Sequence, residues 1–118
     1  MTAAEFSPHD ALDACAAFPA VSLEYPFGPE TAVFKVVEKV FAIMPIDVDR
    51  PRLTLKSDPE DAVALVAEFS EITPGYHMNK KHWISIELPA TGVPVAELIR
   101  ASYDLVIDGL PRAKRPRP

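Results

Sequence analysis

Arg52-Leu53-Thr54-Leu55-Lys56-Ser57-Asp58-Pro59-Glu60-Asp61-Ala62-Val63-Ala64-Leu65-Val66-Ala67-Glu68-Phe69 changes its hydrophobic period midway, and that change decides the fold class. Through Lys56, polar and apolar residues alternate, the pattern of a strand with one covered and one open face. From Ala62 the apolar residues fall at Ala62, Leu65, Val66 and Phe69, the i, i+3, i+4, i+7 spacing of a helix buried along one stripe. Between the two, Asp58 or Ser57 can cap the helix, Pro59 fits its first position, and Glu60 and Asp61 sit on its positive end.

Toward the N-terminus, Ala32 to Val37 and Val40 to Met44 are short runs rich in Val, Ile and Phe, separated only by Glu38-Lys39, which predicts a β-hairpin. Before them Tyr25-Pro26-Phe27-Gly28-Pro29 reads as an irregular loop anchored by buried rings. A first helix is predicted from Ser7-Pro8 to about Phe18, with Leu12, Cys15 and Ala16 at helical spacing and Pro19 as its stop. Toward the C-terminus, Thr73 to Lys81 is a loop. His82 to Leu88 is a fourth strand, with Ile84, Ile86 and Leu88 on one face and Trp83, Ser85 and Glu87 on the other. A last helix spans Pro94 to Asp108 with the stripe Val95, Leu98, Ile99, Tyr103, Val106 and Leu110, capped by Gly109.

The order α-ββ-β-α-β-α predicts an α+β domain: a mainly antiparallel sheet of about four to five strands with three helices packed on one face. The other face is then open and presents Lys35, Arg52, Thr54, Lys56, Trp83 and Ser85, while the helices cover Leu53, Leu55, Ile84 and Ile86. Strand order stays undetermined at this level.

Composition fits this picture. With 118 residues, 48% of them hydrophobic, the chain has material for one core without disulfides or a structural metal. A single thiol, Cys15, allows no internal disulfide and lies on the apolar stripe of the first helix, which points to packing. The residues before Tyr25 carry acids and no Lys or Arg, unlike a secretory leader, and no apolar run approaches a membrane span. A soluble, cytoplasmic monomer is expected. Four of the 12 basic residues, Arg112, Lys114, Arg115 and Arg117, lie past residue 110 with no acid among them, leaving eight bases against 17 acids in residues 1–110. An acidic domain of 1–110 and a disordered basic tail of 111–118 are expected, so nucleic-acid binding would need a local patch.

Several blocks together resemble the MmcQ/YjbR family of small, mostly bacterial proteins. They are Tyr25-Pro26-Phe27-Gly28, Phe34-Lys35-Val36, Lys39-Val40-Phe41-Ala42, Leu55-Lys56, Pro74-Gly75-Tyr76-His77-Met78-Asn79-Lys80-Lys81-His82-Trp83, Ser102-Tyr103 and Leu110. The resemblance runs over roughly residues 8 to 112. It departs at the hairpin turn, where the family usually has glycine and this chain has Val37-Glu38. It implies a compact fold similar to CyaY, the bacterial frataxin, and a DNA-binding role; it implies no catalytic residues.

The densest polar and aromatic segment is Tyr76 to Trp83. Lys80 and Lys81 are candidates for phosphate contacts and Tyr76, His77 and Trp83 for stacking on an unpaired base; the structural alternative is a rigid turn entering a strand. Lys35, Lys39, Arg52 and Lys56 complete the candidate basic set. His77 and His82, five apart with no acid between, are a poor metal pair. Asp47, Asp49, Asp58, Glu60 and Asp61 invite comparison with weak iron binders, although helix capping already accounts for the last three. Ser102 and Tyr103 should face the core and need buried partners for their hydroxyls. No phosphate loop, nucleophile elbow or metalloprotease helix is present, so a non-enzymatic DNA-binding module without cofactor is expected. The competing reading is a protein- or small-molecule-interaction domain using the Tyr76–Trp83 loop; an enzyme is the minority reading, its site assembled from distant residues in a pocket near Tyr25, Phe27, Tyr76 and His77.

Overall fold

The computed structural model describes residues 5–75, 79 and 81–116. The elements are α1 (Pro8–Ala16), β1 (Val21–Glu24), β2 (Thr31–Val36), β3 (Lys39–Pro45), β4 (Arg52–Lys56), α2 (Pro59–Glu68), β5 (Ile72–Pro74), β6 (Trp83–Glu87) and α3 (Val95–Asp108). The strands form one sheet in the order β1-β2-β3-β4-β6-β5, with every neighbouring pair antiparallel.

Six strands replace the four to five expected. The additions are β1 and β5, of four and three residues, each paired on one side only. Elements this short carry too few residues to display alternation, and β5 ends on Pro74, which reads as loop. Both are edge strands, and short edges resist adding a further strand.

Local chemistry sets the helix starts. Ser7 and Asp10 form a capping box: the Asp10 N–H donates to Ser7 Oγ and the Ser7 N–H to Asp10 Oδ2, both at 3.0 Å. The Ser7 backbone bond is the main reason the Asp10 carboxyl sits below its ordinary pKa. Asp58, rather than Ser57, caps α2 by accepting from the Glu60 N–H at 2.9 Å. Helix α1 stops at Ala16, two residues before the expected end; Pro19 has no N–H for the Cys15 carbonyl, and its ring would clash with that carbonyl in a continued helix.

The helices cover one face of the sheet. Ala11 and Cys15 of α1 and Ile99, Tyr103 and Val106 of α3 pack on Phe34, Phe41, Leu53, Leu55, Ile84 and Ile86. Phe18 stacks on Tyr103 at 4.6 Å, and Phe41 meets Tyr103 edge-on at 5.5 Å. The hydroxyls read as needing partners have them: Ser102 Oγ donates to the Phe41 carbonyl and Tyr103 Oη to the Pro19 carbonyl, each at 2.7 Å.

The opposite face is less bare than expected. Register puts Val33, Ile43, Thr54 and Ser85 in one row across it, yet Val33, Thr54 and Ser85 are buried. On the same face Arg52 and Lys56 flank Thr54 along β4, and Trp83 and Glu87 flank Ser85 along β6. A hydroxyl–hydroxyl bond of 2.8 Å between Thr54 and Ser85 satisfies both groups where water is excluded.

The β2–β3 hairpin has a two-residue turn, Val37-Glu38, with both residues at positive φ (48° and 66°). This turn twists with the strands and is usually built from Asn and Gly. Val37 stays despite its branched side chain because that side chain packs against the core. Glu38 is exposed and has no such compensation. Glu38→Gly is therefore expected to stabilise the protein by about 1 kcal/mol, read as a higher urea midpoint at unchanged slope. An unchanged or lower midpoint would show that the turn carries no strain.

Candidate functional site

Charge is sorted by layer. The three helices carry eight carboxylates and one arginine, Arg100, whereas the six strands carry Lys35, Lys39, Arg52 and Lys56 against Glu24 and Glu87. The acidity of the chain thus lies mainly on the helical side, and the open sheet face holds a local surplus of positive charge.

Within that face the basic residues differ in how engaged they are. Lys35 Nζ lies 3.2 Å from Glu24 Oε1, and this contact is the main reason the Glu24 carboxyl sits below its ordinary pKa. Ser22 Oγ donates to the same carboxylate at 3.1 Å. Arg50 Nε donates to Glu87 Oε1 at 2.9 Å, which answers the carboxylate that register places opposite Arg52. Arg52 and Lys56, four residues apart, share a face at the two ends of the β4–β6 ladder, about 13 Å from each other. Lys39 is exposed at the start of β3, beside the strained turn and away from the others.

The best-formed pair is Lys56 and Trp83. They are register partners, and Lys56 Nζ lies over the indole, 5.8 Å from the ring centroid. Trp83 is half-buried. Lys81 is exposed two residues earlier, its N–H donating to Asn79 Oδ1 at 2.9 Å. His82 is tied by its backbone, accepting from the Ser57 N–H at 2.8 Å and donating to the Asn79 carbonyl at 3.2 Å. Tyr76, His77 and Lys80 lie outside the described residues.

Gly75 explains part of the motif before Trp83. Its N–H donates to the Trp83 carbonyl at 2.8 Å, and a Cβ built on it would stand 2.5 Å from the Trp83 Cβ. Only glycine lets β5 close this tightly on the start of β6.

A feature missed in the sequence is a cleft of about 190 Å³ between α2 and α3. Leu65, Leu98, Leu105 and Ile84 form its walls, and Lys56, Asp58 and Asp61 stand among the residues lining it. The available signal was Leu105, which lies two turns after Leu98 and widens the apolar stripe of α3 on one side. Conversely, Tyr25 and Phe27, read as buried anchors, are 45% and 71% exposed. The two prolines and the glycine fix the loop backbone themselves, so the rings are not needed to anchor it.

Other candidates recede. Cys15 is fully buried and its thiol is pushed up to about 12 by desolvation, which suits packing rather than attack. Among the described residues no three His, Cys, Asp or Glu side chains come together as metal ligands, so the acidic candidates do not converge. No described helix is long and apolar enough to cross a membrane.

A single antiparallel sheet with acidic helices on one face and a basic, aromatic strip on the other defines a small α+β domain with an exposed sheet surface. The chain belongs to the YjbR family, whose model matches residues 16–105. It is 44% identical over 105 residues, 85% of either chain, to an uncharacterised protein YbdF of Escherichia coli O157:H7. To the uncharacterised protein YjbR of Escherichia coli K12 it is 34% identical over 84 residues, 69% of this chain and 70% of that one. Among solved structures it is similar to DR2400 of Deinococcus radiodurans, described as a DUF419 domain. That match has a TM-score of 0.80 at 40% identity and covers 92% of this chain and 85% of the other. A protein of Pseudomonas syringae matches with a TM-score of 0.70 at 25% identity, covering 84% and 97% respectively.

Gly75→Ala is expected to destabilise the protein by about 1–3 kcal/mol through overpacking against Trp83. It should also shift the emission of Trp83, the single tryptophan. Wild-type stability and emission would show that the close approach is not needed.

Proposed function

We propose that this chain is a non-enzymatic binding module that takes single-stranded DNA on its open sheet face, at the Lys56–Trp83 end. The observation that carries this reading is the sorting of charge: carboxylates on the helices, surplus lysine and arginine on the strands. Phosphates would meet Lys56, Lys81 and Arg52, and the indole of Trp83 would stack on a base, a combination that serves sequence-tolerant binding of unpaired strands. Lys35 contributes less, because Glu24 already offsets its charge. With three or four phosphate contacts, log affinity should fall against log salt with a slope of about −2 to −3.

A second reading rests on the cleft between α2 and α3. Three half-buried leucines around about 190 Å³ suit one small apolar ring better than a polymer.

The test uses Trp83 as its own reporter. Fluorescence titration with oligonucleotides at physiological salt should quench Trp83, and Lys56→Glu with Lys81→Glu should weaken binding at least tenfold. A control with Arg112, Lys114 and Arg117 changed to Gln separates the sheet face from the basic tail. If binding disappears in that control and survives the Lys56 and Lys81 changes, the sheet-face reading fails. Quenching by small apolar compounds with no response to DNA would favour the cleft.

A further inference from the structure

Six large apolar side chains are prominently exposed among the described residues, and five of them gather at one end of the sheet. Leu23, Tyr25 and Phe27 come from β1 and the loop after it; Ile46 and Val48 come from the loop between β3 and β4. The two loops are tied together, since the Ile46 N–H donates to the Glu30 carbonyl at 2.8 Å and Thr31 pairs with Pro45. Scattered exposed hydrophobics need no explanation, but a cluster does.

The cluster is held in shape. Gly28 at φ 122° accepts a backbone course other residues avoid, its N–H donates to the Tyr25 carbonyl, and its carbonyl accepts from Thr31, each at 3.3 Å. With Pro26 and Pro29 on either side, the Phe27 ring is presented at 71% exposure on a stiff backbone, so little entropy is lost when a partner covers it.

The rim is acidic. Glu30, Asp47 and Asp49 belong to the same two loops and make no ion pair with any described residue. The Glu30 carboxylate lies over Gly28, next to Phe27, where an added Cβ would meet its Oε1 at 2.9 Å. Exposed aromatic rings beside carboxylates fit one chemistry well: proline rings and guanidinium planes lie on the aromatic faces, and the guanidinium N–H groups reach the carboxylates.

This chain carries such a segment. Pro111-Arg112-Ala113-Lys114-Arg115-Pro116-Arg117-Pro118 has four bases, three prolines and no acid. Its first part is held in place: Arg112–Lys114 form one 3-10 turn and Arg115 donates to the Leu110 and Asp108 carbonyls at 3.0 and 3.1 Å, while the Arg112 and Lys114 side chains are exposed. We propose that the Tyr25–Phe27–Ile46–Val48 surface is a docking site for a proline- and arginine-rich segment, and that residues 111–118 of a second copy occupy it. The contact is head-to-tail: the surface of one copy takes the tail of the next, and the pairing leaves a free site at one end and a free tail at the other. It is independent of the DNA reading, which uses the sheet face rather than this end.

The test is an NMR dilution series on the full chain, together with titration of the labelled chain by a synthetic peptide of residues 111–118. Both should move the amides of Tyr25, Phe27, Ile46 and Val48. Phe27→Ala, at a site exposed enough to leave the fold intact, should weaken peptide binding about tenfold, and Asp47→Asn with Asp49→Asn should lower its salt dependence. Shifts confined to the acidic helices, or peptide affinity indifferent to Phe27→Ala, would mean only general attraction between tail and carboxylates and would overturn the proposal. So would absence of peptide binding, or binding of the peptide with no concentration dependence in the full chain.

Discussion

The pairing of β4 with β6 holds the two parts of this molecule together. Strands β1 to β4 form a meander of local contacts, whereas β5 and β6 arrive only after α2 has crossed over the sheet. Five register pairs join β4 to β6. Leu53, Leu55, Ile84 and Ile86 are buried on the helical side of this ladder, and Thr54 and Ser85 share a buried hydroxyl bond on the other. The ladder is thus sealed on both faces, by apolar contact on one and by a satisfied polar pair on the other. A slip of one residue would exchange the two faces, burying Trp83 and Glu87 among the helices, so the register is strongly specified.

Both candidate surfaces near Trp83 follow from that ladder. Register sets Lys56 opposite Trp83, and the absence of a side chain on Gly75 lets β5 close on the Trp83 backbone and Cβ. The crossover also separates α2 from α3: α2 packs on β5 and β6, α3 on β3 and β4, and the space left between them is the leucine-lined cleft. The cleft is a consequence of two helices resting on different strands of one sheet.

What was legible in the sequence follows period and length. Helix α2 and β6 announce themselves because each repeats its pattern long enough to separate a period of two from one of 3.6, and the hairpin by two β-rich runs a two-residue turn apart. The short edge strands β1 and β5 have no such span. Tyr25 and Phe27 mislead for a different reason: aromatic side chains near prolines usually anchor a loop by burial, and here the loop holds its own shape and leaves the rings outside. Ion pairs such as Lys35 with Glu24 join residues whose proximity depends on strand pairing, so a list of basic residues overstates how many act as free charges. The cleft depends on the spacing of two helices, which no local pattern encodes.

Net charge is a poor guide to this surface, and the layer geometry explains why. Chain-wide, five more carboxylates than bases would predict repulsion from any polyanion. A helix layer stands about 10 Å from the sheet it covers, however, and charges in physiological salt are screened over about 8 Å. The helical carboxylates are therefore muted at the open face, where nearby groups decide the potential. There Arg50 engages Glu87 and Lys35 engages Glu24, so both carboxylates carried by the strands are already answered. Exposed pairs of this kind add little stability. Their larger effect is electrostatic: they offset the negative charges that the strands themselves carry, and a mildly basic face persists on an acidic protein.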